Sequence, residues 1–573
     1  MTHLFKKCNL QYLLFLSIWT LLFSCETKTP LNKNYGTIAQ NGIVSCAHPL
    51  AAEVGISILK KGGNAFDAAI ATHFALAVVY PRAGNIGGGG FMVYRDQVGN
   101  SGSLDFREKA PAAASEKMYL DANGVPVKDL SLKGLLASGV PGSVDGMIKI
   151  HEKYGSLPWD VLLQPAIRLA EDGIILTQLE AEKINQYQKD FNDYNKNAIQ
   201  LYNKDNWKAG DKINYPNLAV TLKSIKENKR AGFYDGEVAD KIINAMQNSN
   251  GIITYNDLKN YSSVWRTPIK TTFKNKYTVI SMPPPSSGGI TLAQILIGLE
   301  DFNTNNYKHN SVEWIHLLTE LERRAYADRA TFLGDNDFYK VPIQQLTSKE
   351  YVRSRIKSID LTSATNSQDI KAGDVLKIES FETTHYSIVD KHGNAVAITT
   401  TLNGNFGCKV VIDGAGFFMN NEMDDFSIKP GQPNQFGLTG GEANKIVPNK
   451  RMLSSMTPTI VEKDNDLYMV LGTPGGSTII TSVAQTLLNV TEFNMSMQEA
   501  VDAKKFHSQW LPDEIYLEEK AFPPSIISGL EKMGHKIAFV PILGKMDCIL
   551  KNKDGTYEGA SDRTRSDGTA LGY

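Results

Sequence analysis

The chain is poor in cysteine, with five in 573 residues, and five so widely scattered make no disulfide framework. With Cys8 in a candidate leader and Cys25 at its end, Cys46, Cys408 and Cys548 remain, and each reads as a small buried apolar side chain. Charge of one sign is not in excess: Lys+Arg number 60 against Asp+Glu 61. The basic footprint of a nucleic-acid binder is therefore missing. Long apolar runs are missing too, since the longest at the N-terminus, residues 12–23, covers about 12 residues where a spanning helix needs roughly 20. The ten histidines fall into no metal-ligand spacing. No metal and no other cofactor is expected. Internal repeats are absent, and the four glycines Gly87 to Gly90 lack the following Lys-Ser/Thr of a phosphate loop and lead into a strand. They read as a turn at which backbone packs closely.

What is present begins with a leader. Lys6 and Lys7 precede the apolar run, which has the length of a secretory signal core. It ends in Leu22-Phe23-Ser24-Cys25, which resembles the lipobox of bacterial lipoproteins, with Phe23 unusual there. Residues 1–24 are expected to leave and Cys25 to carry lipid, giving an exported protein of the periplasm or outer membrane, tethered to a membrane face through its anchor alone. The remaining chain is long enough, and at 42% apolar rich enough, for a large core.

Residues 48–61 read as an amphipathic helix stopped by Gly62-Gly63, and Asn64 opens an alanine-rich helix running to Val79 before Pro81. Strands follow at residues 91–95 and 103–107. Helices here cover a sheet. Residues 130–275 are mostly helical by pattern, with amphipathic runs at 159–172 and 239–248, and a further helix spans 312–332. Residues 348–381 are polar and weakly periodic, the composition of a long exposed connection. The pattern then turns sharply to strand: residues 386–390, the turn 391–394 and residues 395–401 form a hairpin.

Pairing Asp390 with Ala395 across that turn places Thr383 opposite Leu402, beside Thr401 and Asn403. Polar groups converge at one strand end. By itself this is equally a surface strand dressed with threonines, which β-propensity favours. The strings Glu382-Thr383-Thr384-His385-Tyr386-Ser387, Thr401-Leu402-Asn403 and Asn420-Asn421-Glu422-Met423-Asp424-Asp425-Phe426 decide between the two. They closely resemble the small-subunit start of the γ-glutamyltransferases. The resemblance continues through residues 448–459, Gly472-Thr473-Pro474-Gly475-Gly476-Ser477 and Gly559-Ala560-Ser561-Asp562. It includes residues 62–69 and Leu104-Asp105-Phe106-Arg107-Glu108, so it runs from about residue 35 to the C-terminus.

That resemblance implies an α+β fold of the N-terminal-nucleophile hydrolase type, a four-layer αββα sandwich with two stacked sheets between helical layers. It implies a precursor cut at Glu382-Thr383 into a large subunit, residues 25–382, and a small subunit, residues 383–573, forming one composite fold. The chemistry has its own logic. A threonine hydroxyl is a poor nucleophile, and no histidine is placed to help it. Freeing Thr383 supplies its own α-amine, whose ordinary pKa of about 7.7–8.0 suits a general base.

Carried over position by position, Thr401 orients the Thr383 hydroxyl, and Gly475 and Gly476 offer backbone N–H groups to the oxyanion. Such donors are worth about 2.7–4 kcal/mol each. Arg107, Ser454 and Ser455 bind the donor's α-carboxylate, while Asn403, Glu422 and Asp425 bind its α-ammonium. Taken alone, Arg107 is more often a surface ion-pair partner, Asp425 a loop acid and the glycine pair a plain turn. Position 422 is Gln in some members and Glu in others. Residues 429–441 match the lid of several bacterial members, with Phe436 as its aromatic latch. The expected partners are γ-glutamyl donors such as glutathione and amino-acid or peptide acceptors. An acylase of the same fold would share the cut and Thr383 but would not need Arg107, Asp425 or the serine pair. A lipid-anchored binding protein with an inert site would stay uncut.

Overall fold

A computed structural model describes residues 33–195, 204, 206–370, 383–429, 435, 440–564 and 566–573. Cys25, Glu382 and Phe436 lie outside them. Residues Tyr35–Tyr573 form one unit, distinct from Met1–Asn34.

Two seven-stranded sheets organise that unit, both antiparallel throughout. The first runs Thr569–Gly572, Ile43–Cys46, Thr384–Val389, Ala395–Thr401, Gly89–Arg95, Ser101–Asp105, Val264–Arg266. The second runs Thr37–Ala39, Tyr557–Ser561, Asp547–Lys551, Asp466–Leu471, Thr459–Lys463, Tyr277–Ser281, Ile269–Phe273.

Period-two alternation assigns the faces. Met92, Tyr386, Ile388, Val396 and Ile398 belong to a core shared with the helices Pro49–Lys60 and Ala65–Val79. Their neighbours Phe91, Val93, Val389, Ala395 and Ala397 pack instead with Ile280, Ile460, Met469 and Ile549 of the second sheet. That second core continues into the helices Gly288–Leu299, Val312–Phe332 and Thr478–Thr491. The layers are helix, sheet, sheet, helix, as expected. A polar seam runs between the sheets: the His385 ring bonds Thr399 Oγ1 and Ser387 Oγ, and Ser387 Oγ donates to the Asp547 carbonyl.

Local signals account for most elements. Asn64 and Asp67 form a capping box before a helix whose fifteen residues are all buried. His48 caps the preceding helix. The helices Trp159–Asp172 and Val312–Phe332 have the predicted bounds, and a Cβ on Gly88 would stand 2.1 Å from the Thr401 carbonyl oxygen, the close backbone approach expected of that turn. Cys46, Cys408 and Cys548 are buried and free.

Several expectations are corrected. The hairpin register is one residue from that predicted: Val389, not Asp390, faces Ala395, and Thr384 faces Thr400. The cause is the Asp390 side chain, which accepts from the His392 and Asn394 N–H groups and so belongs to the turn. The same register carried one step on sets Thr383 against Thr401 rather than Leu402. The second predicted strand starts two residues earlier, at Ser101. Residues 269–273, expected within a helical stretch, form an edge strand with an alternating buried and exposed pattern. The predicted exposed connection at 348–381 contains the helix Lys349–Ile356, with Val352 and Ile356 buried, so tertiary burial overrides its polar composition. Residues 371–382 of it lie outside the described set.

Candidate active site

Thr383 sits at the head of an inner strand of the first sheet, 4% exposed, at the rim where the two sheets meet the loops. Thr401 ends the neighbouring strand, and its Oγ1 accepts a 2.7 Å hydrogen bond from the Asn403 N–H. Asn85 pins this strand end by donating from Nδ2 to the Thr401 carbonyl and to Thr400 Oγ1. Asn403 takes a left-handed conformation, φ 74°, and its Nδ2 donates to the Asn421 carbonyl.

The acids are set by the asparagines before them. Asn420 donates to the Gly87 and Gly139 carbonyls, and its Oδ1 accepts from the Glu422 N–H, fixing Glu422 in a short 3-10 turn, Glu422–Asp425. Arg107 leaves the end of the Ser101–Asp105 strand fully buried, its N–H held by Asp105 Oδ1. Its guanidinium forks between Glu422 Oε2 and Asp425 Oδ2, at 2.5 Å each, with Glu108 3.6 Å away. Burial alone would lower the Arg107 pKa, but Glu422, Asp425 and Glu108 outweigh it and hold it above its ordinary value. The Glu422 carboxyl is pushed well up by burial, against the pull of Arg107.

Ser454 and Ser455 lie on the segment that docks onto the turn before the helix Gly288–Leu299. The Ser454 carbonyl accepts from the Ser287 N–H and hydroxyl, and its own N–H donates to the Pro285 carbonyl. Gly475 and Gly476 have φ of 140° and 53°, which favour glycine, and their carbonyls are tied to the first turn of the helix Thr478–Thr491. The helix N-terminus adds positive potential beside them.

Arg107, Thr383, Thr401, Asn403, Glu422, Asp425, Ser454, Ser455 and Gly476 line a single cavity of about 20 Å³, room for little more than a water. Gly475 faces a second cavity on the other side of the same turn. So the structure brings together nine of the ten predicted catalytic and binding residues and places the tenth next in chain.

Two groups escaped the sequence reading. Arg329 lines the same cavity: its Nε donates to Ser287 Oγ and its Nη2 to Ser455 Oγ, at 2.9 and 3.0 Å. Burial pushes its pKa down to about 10, still cationic at neutral pH. Glu322, Tyr326 and Arg329 fall on one helical stripe and all are buried, but a stripe that carries two charged residues gives no sign of burial in the sequence. Glu108 is the other, fully buried beside Arg107 with neither carboxylate oxygen hydrogen-bonded among the described residues. Burial raises its pKa, against the pull of Arg107.

His385, two residues from Thr383, is turned into the inter-sheet seam and kept neutral by burial, its pKa near 3. It cannot serve Thr383 as a base. His316 Nδ1 and His535 Nε2 lie 2.7 Å apart near Glu320, yet Glu320 is already paired with Arg324 at 2.6 Å, which reads as a structural network. No helix among the described residues is long and apolar enough to cross a membrane.

Two stacked antiparallel sheets between helices, with a threonine heading an inner strand, define an N-terminal-nucleophile hydrolase. The fold is similar to that of the cephalosporin acylase from Bacillus halodurans, at a TM-score of 0.81 and 26% identity over 96% of this chain and 99% of that one. The chain belongs to the γ-glutamyltranspeptidase family, whose pattern matches residues 51–573. It is 46% identical to the glutathione hydrolase proenzyme of Escherichia coli strain K12, over 93% of this chain and 92% of the relative. It also resembles the Helicobacter pylori γ-glutamyltranspeptidase structure, at 41% identity and a TM-score of 0.56, over 60% of this chain and 97% of that one.

Proposed function

We propose that the protein is a γ-glutamyltransferase and glutathione hydrolase that cuts its own chain between Glu382 and Thr383 and then uses Thr383 as its nucleophile. The observation that carries this reading is one cavity shared by Thr383 and a buried cation flanked by two carboxylates. An α-amino-acid head group, one carboxylate beside one ammonium, complements that set, with Arg107, Ser454 and Ser455 for the first and Asn403, Glu422 and Asp425 for the second. An acyl group without that head would find no use for a guanidinium and two carboxylates placed beside Thr383, which argues against the acylase chemistry named for a structural relative.

In maturation the Thr383 hydroxyl attacks the Glu382 carbonyl, the Glu382–Thr383 C–N bond breaks as its nitrogen takes up the hydroxyl proton, and water opens the resulting ester to leave a carboxylate on Glu382 and the free α-amine on Thr383. In turnover the freed α-amine takes the Thr383 Oγ proton as the Oγ–C bond forms at the donor's γ-carbonyl. Gly475 and Gly476 N–H groups face the oxyanion. The C–N bond breaks, the α-ammonium returns the proton to the leaving amine, and a γ-glutamyl ester remains for water, an amino acid or a peptide. The family reading makes residues 25–382 and 383–573 the two subunits, with residues 429–441 and Phe436 as lid. The leader sequence supports export and lipidation at Cys25.

The test pairs N-terminal sequencing with amine release from γ-glutamyl and glutaryl anilides. The expected result is a small subunit starting at Thr383 that prefers the γ-glutamyl substrate. A preference for glutaryl, or an uncut and inactive chain, overturns the reading.

A further inference from the structure

One stripe of the helix Val312–Phe332 reaches two separate parts of the wall around Thr383. Glu322, Tyr326 and Arg329, at i, i+4 and i+7, share a face and are buried. Arg329 serves the serine pair. Its Nη2 donates to Ser455 Oγ and its Nε to Ser287 Oγ, and the Ser287 hydroxyl in turn donates to the Ser454 carbonyl at 2.7 Å. Ser455 Oγ accepts from Arg329 and Ser454 Oγ from the Met456 N–H, which leaves both hydroxyl protons to donate into the cavity.

Tyr326 serves the glycine turn. Its hydroxyl donates to the carbonyl of Ser477, the residue after Gly475 and Gly476. Burial holds its pKa well above the usual tyrosine range, so it stays a donor. Glu322 adds a further tie: its Oε2 accepts from the Ser508 N–H at 3.0 Å, and the neighbouring His507 ring bonds Thr481 Oγ1 at 2.9 Å in the first turn of the helix Thr478–Thr491. The His507 ring also meets Tyr326 edge-on, with centroids 5.6 Å apart.

Tyr326 and Arg329 stand less than one helical turn apart, so the backbone between them is fixed by the helix itself. A rigid element that holds both the serine pair and the glycine turn sets the span from one to the other. In a γ-glutamyl donor the α-carboxylate and the reacting carbonyl are four carbon–carbon bonds apart, about 5 Å when extended, and one methylene more or less changes that by about 1.3 Å. A misplacement of about 1 Å at a reacting carbon costs on the order of 100-fold in rate.

We propose that Tyr326 and Arg329 form a gauge for donor length: held on one helix, they fix the distance from the carboxylate-binding serines to the oxyanion turn and so select γ-glutamyl over β-aspartyl and δ-(α-aminoadipyl) amides. The inference rests on the γ-glutamyl reading of the Thr383 cavity. Both are positioning residues, because they act through Ser287, Ser455 and Ser477 rather than on the reacting atoms.

The experiment measures kcat and KM for γ-glutamyl, β-aspartyl and δ-(α-aminoadipyl) anilides, at enzyme concentrations high enough to read the slow substrates. It uses the processed wild-type protein, Tyr326→Phe, Arg329→Lys and the double variant, with the subunit pattern on a gel and Tm as folding controls. One lost hydrogen bond is worth about 2- to 10-fold. The preference for γ-glutamyl over either neighbour should therefore fall by that factor in each single variant, through kcat for Tyr326→Phe and through KM for Arg329→Lys. Freeing either end frees the span, so the double variant should lose no more preference than the worse single variant, whereas independent effects would multiply. A preference unchanged within about twofold while all three anilides slow together, or losses that multiply in the double variant, overturns the gauge. Where one single variant stays uncut, the other decides alone by whether its preference falls. A wild-type protein that prefers glutaryl to γ-glutamyl anilide would instead overturn the reading beneath it.

Discussion

Replacing Arg107 by Met removes the cation that lies between three acids, the buried Glu108 and Glu422 and the partly buried Asp425. Two of those acids lose a 2.5 Å ion pair, and breaking a buried pair on one side costs about 3–5 kcal/mol. An unfolding entropy of about 2.1 cal/mol/K per residue gives roughly 1.1 kcal/mol/K for the Tyr35–Tyr573 body. The expected fall in Tm is therefore about 3–5 °C, a modest number that the size of the chain dictates. The effect on the donor is larger: a lost charge-assisted hydrogen bond to its carboxylate, about 1.5–3 kcal/mol, raises KM roughly 10- to 150-fold. If that contact is equally strong in ground and transition states, kcat stays near its original value. Adding Glu422→Gln to the Arg107→Met protein removes one unpaired acid and should restore part of the Tm without restoring KM. Scanning fluorimetry and γ-glutamyl anilide kinetics on the processed protein read both. An unchanged Tm would refute the buried cluster, and a lowered Tm with less than a threefold change in KM would make Arg107 a purely structural residue.

Thr383→Ala should accumulate as one uncut chain without turnover, and two subunits on a gel would refute its role in cleavage. Arg329→Lys keeps the charge but cannot serve Ser287 and Ser455 together, so a rise of about 3- to 10-fold in donor KM with kcat retained is expected from one lost hydrogen bond; equal losses in kcat and kcat/KM would refute a positioning role. Asp547, buried between the sheets, has its carboxyl raised to about 8 by burial, against the Ser561 and Ser45 hydroxyls. The folded state thus keeps a proton that the unfolded chain loses above about 3.8, so this residue's contribution to stability falls as pH rises from about 4 to 8. Asp547→Asn should flatten that part of the Tm-against-pH curve, and an unaltered slope would exclude the residue. In Gly88→Ala the new Cβ meets the Thr401 carbonyl at 2.1 Å, so the strand end must shift and self-cleavage should slow, as a pulse-chase would measure.

Signals written over short spans were legible in the sequence. The helix Trp159–Asp172 was readable to the residue from its apolar spacing, and so was Val312–Phe332. The hairpin was equally plain, but its register turned on whether Asp390 pairs or caps, a choice its side chain makes by bonding to the turn. Motif resemblance located the residues around Thr383, because those strings are short and specific. Arg329 was invisible to it, since a helix arginine looks solvent-exposed until a second segment, here Ser455, is known to cover it. The edge strand Ile269–Phe273 was missed for a related reason: five alternating residues gain strand identity only from the partner Tyr277–Ser281.

The strand order also governs the sequence of events in the life of the molecule. In the first sheet Ile43–Cys46 is gripped between Thr569–Gly572 and Thr384–Val389, and in the second Thr37–Ala39 and Tyr277–Ser281 flank a block drawn wholly from residues 459–561. A cut before Thr383 would therefore divide a weave rather than two neighbouring bodies. Neither piece would contain a complete sheet, so the fold of each would depend on strands supplied by the other. Scission at that bond would then follow folding, because the strands on either side of it already lie in shared sheets. A protein cut there would have a lifetime set by how rarely it opens, because a molecule that came apart would have lost the covalent template that first wove it together.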